Sequence, residues 1–168
     1  MQFFYILIPL ALVLIIYLER KYIKEQDERY LGFHLVTMSI FASGITWFAS
    51  VVALVLLAQT FVDPPNSILG HLAFAAFFVL CVIIAVQNRT YRLYFDERQI
   101  VCTRIMGEPV TSSLAALKRV ELKSYSDSSS ETYILTFTEG KPLKIPIGMM
   151  EGEGIDKLKS MLGRYTYS

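Results

Sequence analysis

The fold is decided by residues 35–57, which read LVTMSIFASGITWFASVVALVLL and contain no ionisable side chain. An apolar run of about 20 residues can cross the roughly 30 Å hydrocarbon core of a bilayer as one α-helix. Residues 68–86 (ILGHLAFAAFFVLCVIIAV) form a second such run, and residues 2–18 (QFFYILIPLALVLIIYL) form a third. The sequence therefore predicts three transmembrane helices.

Composition divides the chain into two parts. Hydrophobic residues make up 54% of the chain and the mean hydropathy is +0.44, both high for a soluble domain. The excess lies in residues 1–88, whereas residues 89–168 have the composition of a soluble domain. We therefore predict a transmembrane domain over residues 1–88 and a cytoplasmic domain over residues 89–168. The net charge of +1 argues against a nucleic-acid partner, which needs a basic surface.

The amino-terminal run resembles a retained anchor more than a cleaved signal peptide. A signal peptide has basic residues before its apolar core and small residues at its cleavage site. No Lys or Arg precedes residues 2–18, and the bulky end of this run leads straight into residues 19–29 (ERKYIKEQDER). We interpret that mixed-charge segment as a solvated helical extension or loop.

The positive charges predict the orientation. No Lys or Arg occurs between residues 30 and 88, and residues 63–67 (DPPNS) form a turn that makes the second and third helices a hairpin. The basic residues flank this region on both sides: Arg20, Lys21, Lys24 and Arg29 before it, Arg89 and Arg92 after it. The positive-inside rule places them in the cytoplasm. With three helices, the amino terminus lies on the outer side of the membrane and the carboxy-terminal domain lies in the cytoplasm.

From residue 91 onward the apolar period changes to two, which indicates β-strands. Leu93 and Phe95 share one face of a strand, and residues 99–105 (QIVCTRI) form the return strand of a hairpin. Further strands are predicted around Val120 and over residues 133–137 and 143–147, with a loop at residues 126–131. Residues 151–164 close the chain as an amphipathic helix whose apolar face comprises Ile155, Leu158, Met161 and Leu162.

This order of elements resembles the bacterial pleckstrin-homology-like (PH-like) domains that are attached to membrane helices. The resemblance covers the opening hairpin at residues 91–104, the bend at residues 112–117 with the strand that follows it, the pair of strands at 133–137 and 144–147, and the closing helix. It implies an α+β membrane protein: three transmembrane helices followed by a small cytoplasmic antiparallel β-barrel or sheet with a carboxy-terminal helix. It also implies binding rather than catalysis. Phosphoinositide binding, the best-known activity of such domains, is not expected, because the first turn is Asp96-Glu97-Arg98.

Side chains suited to catalysis are scarce. The two histidines, His34 and His71, are predicted at opposite membrane faces, and the predicted β domain (residues 89–168) contains none. No glycine-rich phosphate loop occurs. The sequence therefore predicts no enzyme, no cofactor and no metal site.

Two sets of residues are candidate contact sites. The first is a stripe of small side chains spaced four apart on the second helix: Ala42, Thr46 and Ser50. Such a stripe predicts a helix-packing seam that faces the other helices or a second copy of the chain. The second is a basic set on the β domain: Lys118, Arg119 and Lys123. These residues are either solvated strand positions or a contact surface for a protein partner or anionic membrane lipids.

The leading functional hypothesis is a non-enzymatic accessory or adaptor protein of the inner membrane, whose β domain binds a protein partner. A second hypothesis is an immunity protein that neutralises a membrane-acting or periplasm-delivered toxin, which a neighbouring toxin gene would favour. A third is a small transporter or channel subunit. The absence of Asp, Glu, Lys and Arg from the predicted spans disfavours it, because transport pathways usually place charged groups inside the membrane.

Overall fold

The computed structural model describes residues 2–62, 68–105, 107–124 and 131–166, with residues 2–9, 61, 62 and 166 described by their backbone alone. The helices are α1 (Gln2–Arg29), α2 (Ile40–Val62), α3 (Ile68–Thr90) and α4 (Gly154–Thr166). The strands are β1 (His34–Met38), β2 (Arg92–Phe95), β3 (Gln99–Thr103), β4 (Val110–Ser113), β5 (Leu117–Ser124), β6 (Glu131–Phe137), β7 (Leu143–Ile145) and β8 (Met150–Glu151). The turn predicted at residues 63–67 and residues 126–130 of the predicted loop lie outside the described residues, and Glu131 already belongs to β6.

Two antiparallel sheets and α4 enclose one hydrophobic core, and this unit, which includes β1, is called the β domain from here on. The larger sheet has the strand order β4-β3-β2-β1-β8, and the smaller sheet has the order β5-β6-β7. The strand alternation predicts which side chains face inward, and Leu93, Phe95 and Leu135 are buried as expected. Leu158 and Leu162 of α4 are fully buried against the same core, so the apolar face predicted for the last helix is confirmed.

The strand β1 comes from a part of the chain that the sequence predicts to be membrane-spanning. It pairs with β2 on one side and β8 on the other, with Val36 opposite Leu93. Val36 is fully buried in the core. Helix α2 therefore begins at Ile40 rather than at residue 35. Ser39 caps this end of the helix, because its Oγ accepts a hydrogen bond of 3.0 Å from the backbone N–H of Ala42. His34, predicted at the membrane end of a helix, instead lies on β1 with its ring 5.2 Å from that of Phe95.

Within the described ranges, two helical segments are long and apolar enough to cross a membrane, Ile40–Thr60 and Ile68–Thr90. Helix α1 is not among these candidates over the residues that the structure describes. It runs on through the charged residues 19–29, since no Gly or Pro interrupts the chain between residue 10 and Gly32, which has φ of +94°. The prediction of three transmembrane helices followed by a separate β domain is therefore wrong. The fold is α+β, with four helices and two sheets over the described residues. The prediction of an external amino terminus depended on three spans, so it is no longer supported.

The second half of α1 packs on the outer face of the larger sheet. The side chain of Tyr94 points away from the core, yet it is only 2% exposed. Tyr30, directly after α1, stacks on it with ring centroids 4.7 Å apart. Glu19 and Gln26 of α1 are also buried. Of the two alternatives predicted for residues 19–29, a helical extension or a loop, the structure has the helix, and one face of this segment is buried rather than solvated.

Candidate functional site

Helices α1 and α3 are joined by an ion pair at the end of the apolar region. Nε of Arg89 lies 2.6 Å from Oε1 of Glu19. Glu19 is fully buried, and its burial raises the pKa of the carboxyl group, while the neighbouring Arg89 opposes that shift. Removing Arg89 would leave a buried carboxylate without its counter-ion, so the pair holds the two helices together.

A second polar contact joins α1 to β2. Asp27 receives a hydrogen bond of 2.6 Å from the hydroxyl of Tyr94 and lies 3.2 Å from Nη1 of Arg92. Burial, followed by the hydrogen bond to Asp27, raises the pKa of the Tyr94 phenol above its ordinary value. The phenol therefore stays protonated and serves as a donor to the carboxylate.

Replacing Tyr94 with Phe should lower the free energy of unfolding by about 1–2 kcal/mol at neutral pH, because a hydrogen bond to a charged group is lost. Stability should also become less sensitive to alkali. A phenol whose pKa is raised by folding ionises first in the unfolded chain, at about pH 10, so wild-type stability falls as the pH rises above that value. Urea unfolding at pH 8 and pH 11 measures both effects. Tyr30→Phe keeps the ring stack and the hydrogen bond from Tyr94 to Asp27, so its stability should match that of wild type at both pH values. If Tyr94→Phe lost as much stability as wild type between pH 8 and pH 11, Tyr94 would not be the group responsible.

A cavity of about 650 Å³ opens beside these contacts, where α1, the first turns of α2 and the larger sheet meet. Its walls carry three guanidinium groups, one carboxylate and apolar side chains: Arg20, Arg89, Arg92, Glu151, Ile40 and Trp47. Two nitrogen donors on lining residues, Nε of Arg92 and Nε1 of Trp47, are buried and have no acceptor in the part of the chain that is described. The cavity is therefore rich in hydrogen-bond donors. We call it the arginine cavity.

The predicted seam lies on a partly to fully buried face of α2. Ala42 and Thr46 are half-buried and Ser50 is buried. The hydroxyl groups of Thr46 and Ser50 donate to carbonyl oxygens of their own helix, at 2.8 Å to Ser43 and 2.9 Å to Thr46. The stripe thus presents little free polarity, and its role as a packing seam stays a prediction.

A hydrogen bond also joins α2 and α3 near the far end of their hairpin. Nε2 of His71 lies 3.0 Å from the carbonyl oxygen of Thr60. A carbonyl oxygen can only accept, so Nε2 carries the proton in this contact. The bond satisfies one of the last carbonyl groups of α2, which have no partner within the helix.

The predicted basic set lies on the exposed side of β5. Lys118, Arg119 and Lys123 are all exposed, and Nε of Arg119 lies 3.1 Å from Glu121. The buried Val120 between them packs into the core. The set therefore forms a solvent-facing row on a rigid strand, and its use as a contact surface stays a prediction.

No three His, Cys, Asp or Glu side chains within the described ranges come together in a way that could hold a metal ion. From the sequence alone, the three arginines that line the arginine cavity predict only the orientation of the helices in the membrane. Their positions on one side of the apolar runs indicate a common side of the membrane, but residues 20 and 89 are too far apart in the chain for a shared cavity to be predicted.

Comparison with known proteins adds little. No protein-family model and no curated protein matches the sequence. One solved structure to which the chain is similar is titled "Structure of the Spt16D Pob3N heterodimer"; the likeness covers 46% of this chain and 42% of that one, with 11% identity. Its TM-score of 0.31 marks a weak structural neighbour and carries no argument about fold or function. The resemblance to bacterial PH-like domains therefore rests on the order of elements alone.

Proposed function

We propose that this protein is a non-enzymatic membrane adaptor whose β domain binds a protein partner. In this proposal α2 and α3 cross a bacterial inner membrane as a hairpin and hold the β domain on its cytoplasmic face. One observation carries the proposal: Ser39 alone separates β1 from α2, and Tyr91 alone separates α3 from β2. Because β1 and β2 are paired neighbours, both ends of the hairpin enter the same sheet.

These short junctions give the β domain a fixed orientation relative to the helices. A domain that is held in this way would face membrane neighbours at a raised effective concentration, without any further contact. The basic residues at this end, including Arg20 and Arg89, support a cytoplasmic location under the positive-inside rule.

The exposed basic row on β5 is the surface that we assign to the partner. Its three cations lie on the opposite side of β5 from the core, so their mutation should not disturb packing. We therefore expect an acidic surface on the partner. The hydroxyl groups of the α2 stripe already donate to their own helix, which is why we place the transporter hypothesis behind the adaptor.

Charge reversal of this row should disrupt the complex. We expect Lys118→Glu, Arg119→Glu and Lys123→Glu together to lower the yield of a cross-linked partner about tenfold, since repulsion replaces attraction across the interface. The measurement is cross-linking in intact membranes, followed by an alkaline carbonate wash that retains embedded proteins.

A matched triple variant provides the control. Lys141→Glu, Lys144→Glu and Lys159→Glu reverse three other exposed cations of the β domain and should leave the yield unchanged. Equal losses in both triple variants would show a nonspecific charge effect. Release of the wild-type chain by carbonate would refute the membrane location itself.

A further inference from the structure

We propose that the arginine cavity binds the phosphate headgroup of an anionic membrane lipid. The lipid source rests on the proposed function, because it requires α2 and α3 to lie in a bilayer. The site is separate from the hairpin turn at Asp96 and from the basic row on β5. It exists only because α1, α2 and β1 meet at the end of the apolar helices.

The guanidinium groups retain donors after their ion pairs are counted. Each guanidinium has five N–H donors. The contact with Glu19 engages Nε of Arg89, and the contact with Asp27 engages Nη1 of Arg92. These two carboxylates orient their arginines, while Arg20 forms no ion pair in the described part of the chain and acts on Glu19 only through its charge.

The carboxylate that lines the cavity already has a partner. Oε1 of Glu151 accepts a hydrogen bond of 2.8 Å from the backbone N–H of Ile40, at the start of α2. The positive end of the helix dipole lies at the same place and offsets part of this negative charge. The three arginines are offset in charge by Glu151, Glu19 and Asp27, so the site would hold phosphate through the guanidinium N–H groups that these contacts leave unused. Nε of Arg92 and Nε1 of Trp47 also have no acceptor in the described residues.

The remaining wall is apolar and continues along α2. Ile40, Gly44 and Trp47 span about 10 Å of the helix axis, given a rise of 1.5 Å per residue. Tryptophan is typical of the membrane interface, where one side of the ring is apolar and the other is wet. An amphiphile fits such a site, with its phosphate at the arginines and its chains along α2. Phosphate also suits arginine because it accepts paired, charge-assisted hydrogen bonds.

The single tryptophan of the chain provides the readout. Trp47 lines the cavity, so its fluorescence should report occupancy without a label. We would titrate the full-length protein in a neutral detergent with phosphatidylglycerol, with phosphatidylcholine and with glycerol 3-phosphate. The proposal predicts a saturable change in Trp47 fluorescence. The ligand concentration at half of this change, the midpoint, should be about tenfold lower for phosphatidylglycerol than for the other two ligands, since only phosphatidylglycerol combines net charge with acyl chains. Equal midpoints for the two lipids would refute the anionic specificity, and equal binding of glycerol 3-phosphate would refute the lipid source.

Two variants locate the response. Arg20→Gln should raise the phosphatidylglycerol midpoint about tenfold, through loss of a charge-assisted contact. Arg98→Gln, in the exposed β2–β3 turn, should have no effect. Gly44→Leu should abolish the response, because a Cβ at Gly44 meets nothing within 4 Å and the new side chain would fill the cavity; Gly163→Leu in α4 is the control. Unchanged midpoints in both Arg20→Gln and Gly44→Leu would overturn the proposal.

Carbonate extraction of the same variants separates this inference from the proposed function. The titration in detergent tests the cavity, whereas retention in carbonate-washed membranes tests the membrane location. A wild-type chain that is extracted but still prefers phosphatidylglycerol would overturn the adaptor proposal alone. A chain that is retained but shows no preference would overturn the headgroup site alone.

Discussion

A fragment of residues 89–168 should fail to fold as a stable unit, although it contains seven of the eight described strands and α4. The reason is the missing strand β1, which lies between β2 and β8. Its loss removes the fully buried Val36, whose burial contributes about 1.5–3 kcal/mol, and a domain is typically stable by only about 5–15 kcal/mol. It also exposes the hydrogen-bonding edge of β2, which favours aggregation. Size-exclusion chromatography and thermal unfolding followed by circular dichroism would measure both effects.

A chimera provides the matched control for this fragment. Residues 20–38 joined by Asn-Gly to residues 91–168 would replace the α2–α3 hairpin with a two-residue turn between β1 and β2, and would omit Glu19 together with its partner Arg89. The antiparallel register, with Thr37 opposite Arg92, allows this connection, and Asn-Gly suits such turns. We expect the chimera to be monomeric and to unfold cooperatively. If residues 89–168 alone were as stable as the chimera, β1 would not be an integral strand of the sheet.

The second large effect is expected at Gly154, the first residue of α4. A Cβ at this position would lie 2.8 Å from the carbonyl oxygen of Leu35, 3.1 Å from Cγ2 of Val36 and 3.2 Å from Cε1 of Phe95. These neighbours are backbone and core atoms, so they have little room to move. Gly154→Ala should therefore lower the free energy of unfolding by about 2–3 kcal/mol, as overpacking of a core does. Thermal unfolding of the full-length protein in detergent would measure the loss.

Gly163 in the same helix is the natural control. A Cβ there would meet nothing within 4 Å, so Gly163→Ala should add about 1 kcal/mol of stability through its higher helix propensity. The two substitutions should thus change stability in opposite directions. Similar effects would mean that the start of α4 does not pack against β1.

Much of the β domain was predictable because its signals are local. The alternation of Leu93 and Phe95 and the apolar face of α4 each depend on neighbouring residues in the chain. Tyr94 shows the limit of this reasoning. Alternation predicts that Tyr94 lies on the face of β2 opposite to Leu93 and Phe95, but it is buried because α1, which lies far away in sequence, covers that face.

The arginine cavity was not predictable for the same reason. The positions of Arg20, Arg89 and Arg92 relative to the apolar runs indicated a common side, and the structure places all three in one lining. Their proximity depends on how α1 lies against α3 and β2, and the ion pairs of Arg89 with Glu19 and of Arg92 with Asp27 join these elements. Such pairs join residues that are about 65 or more positions apart, and no local pattern records them.

The sequence by itself determined the two long apolar helices, the strand periodicity after residue 91 and the apolar face of the last helix, because each follows from the spacing of neighbouring side chains. Only the tertiary structure decided that residues 34–38 form a strand. Their apolar character suits a helix and a strand equally, and the hydrogen-bonding partners that favour the strand are supplied by β2 and β8, more than 50 residues further along the chain.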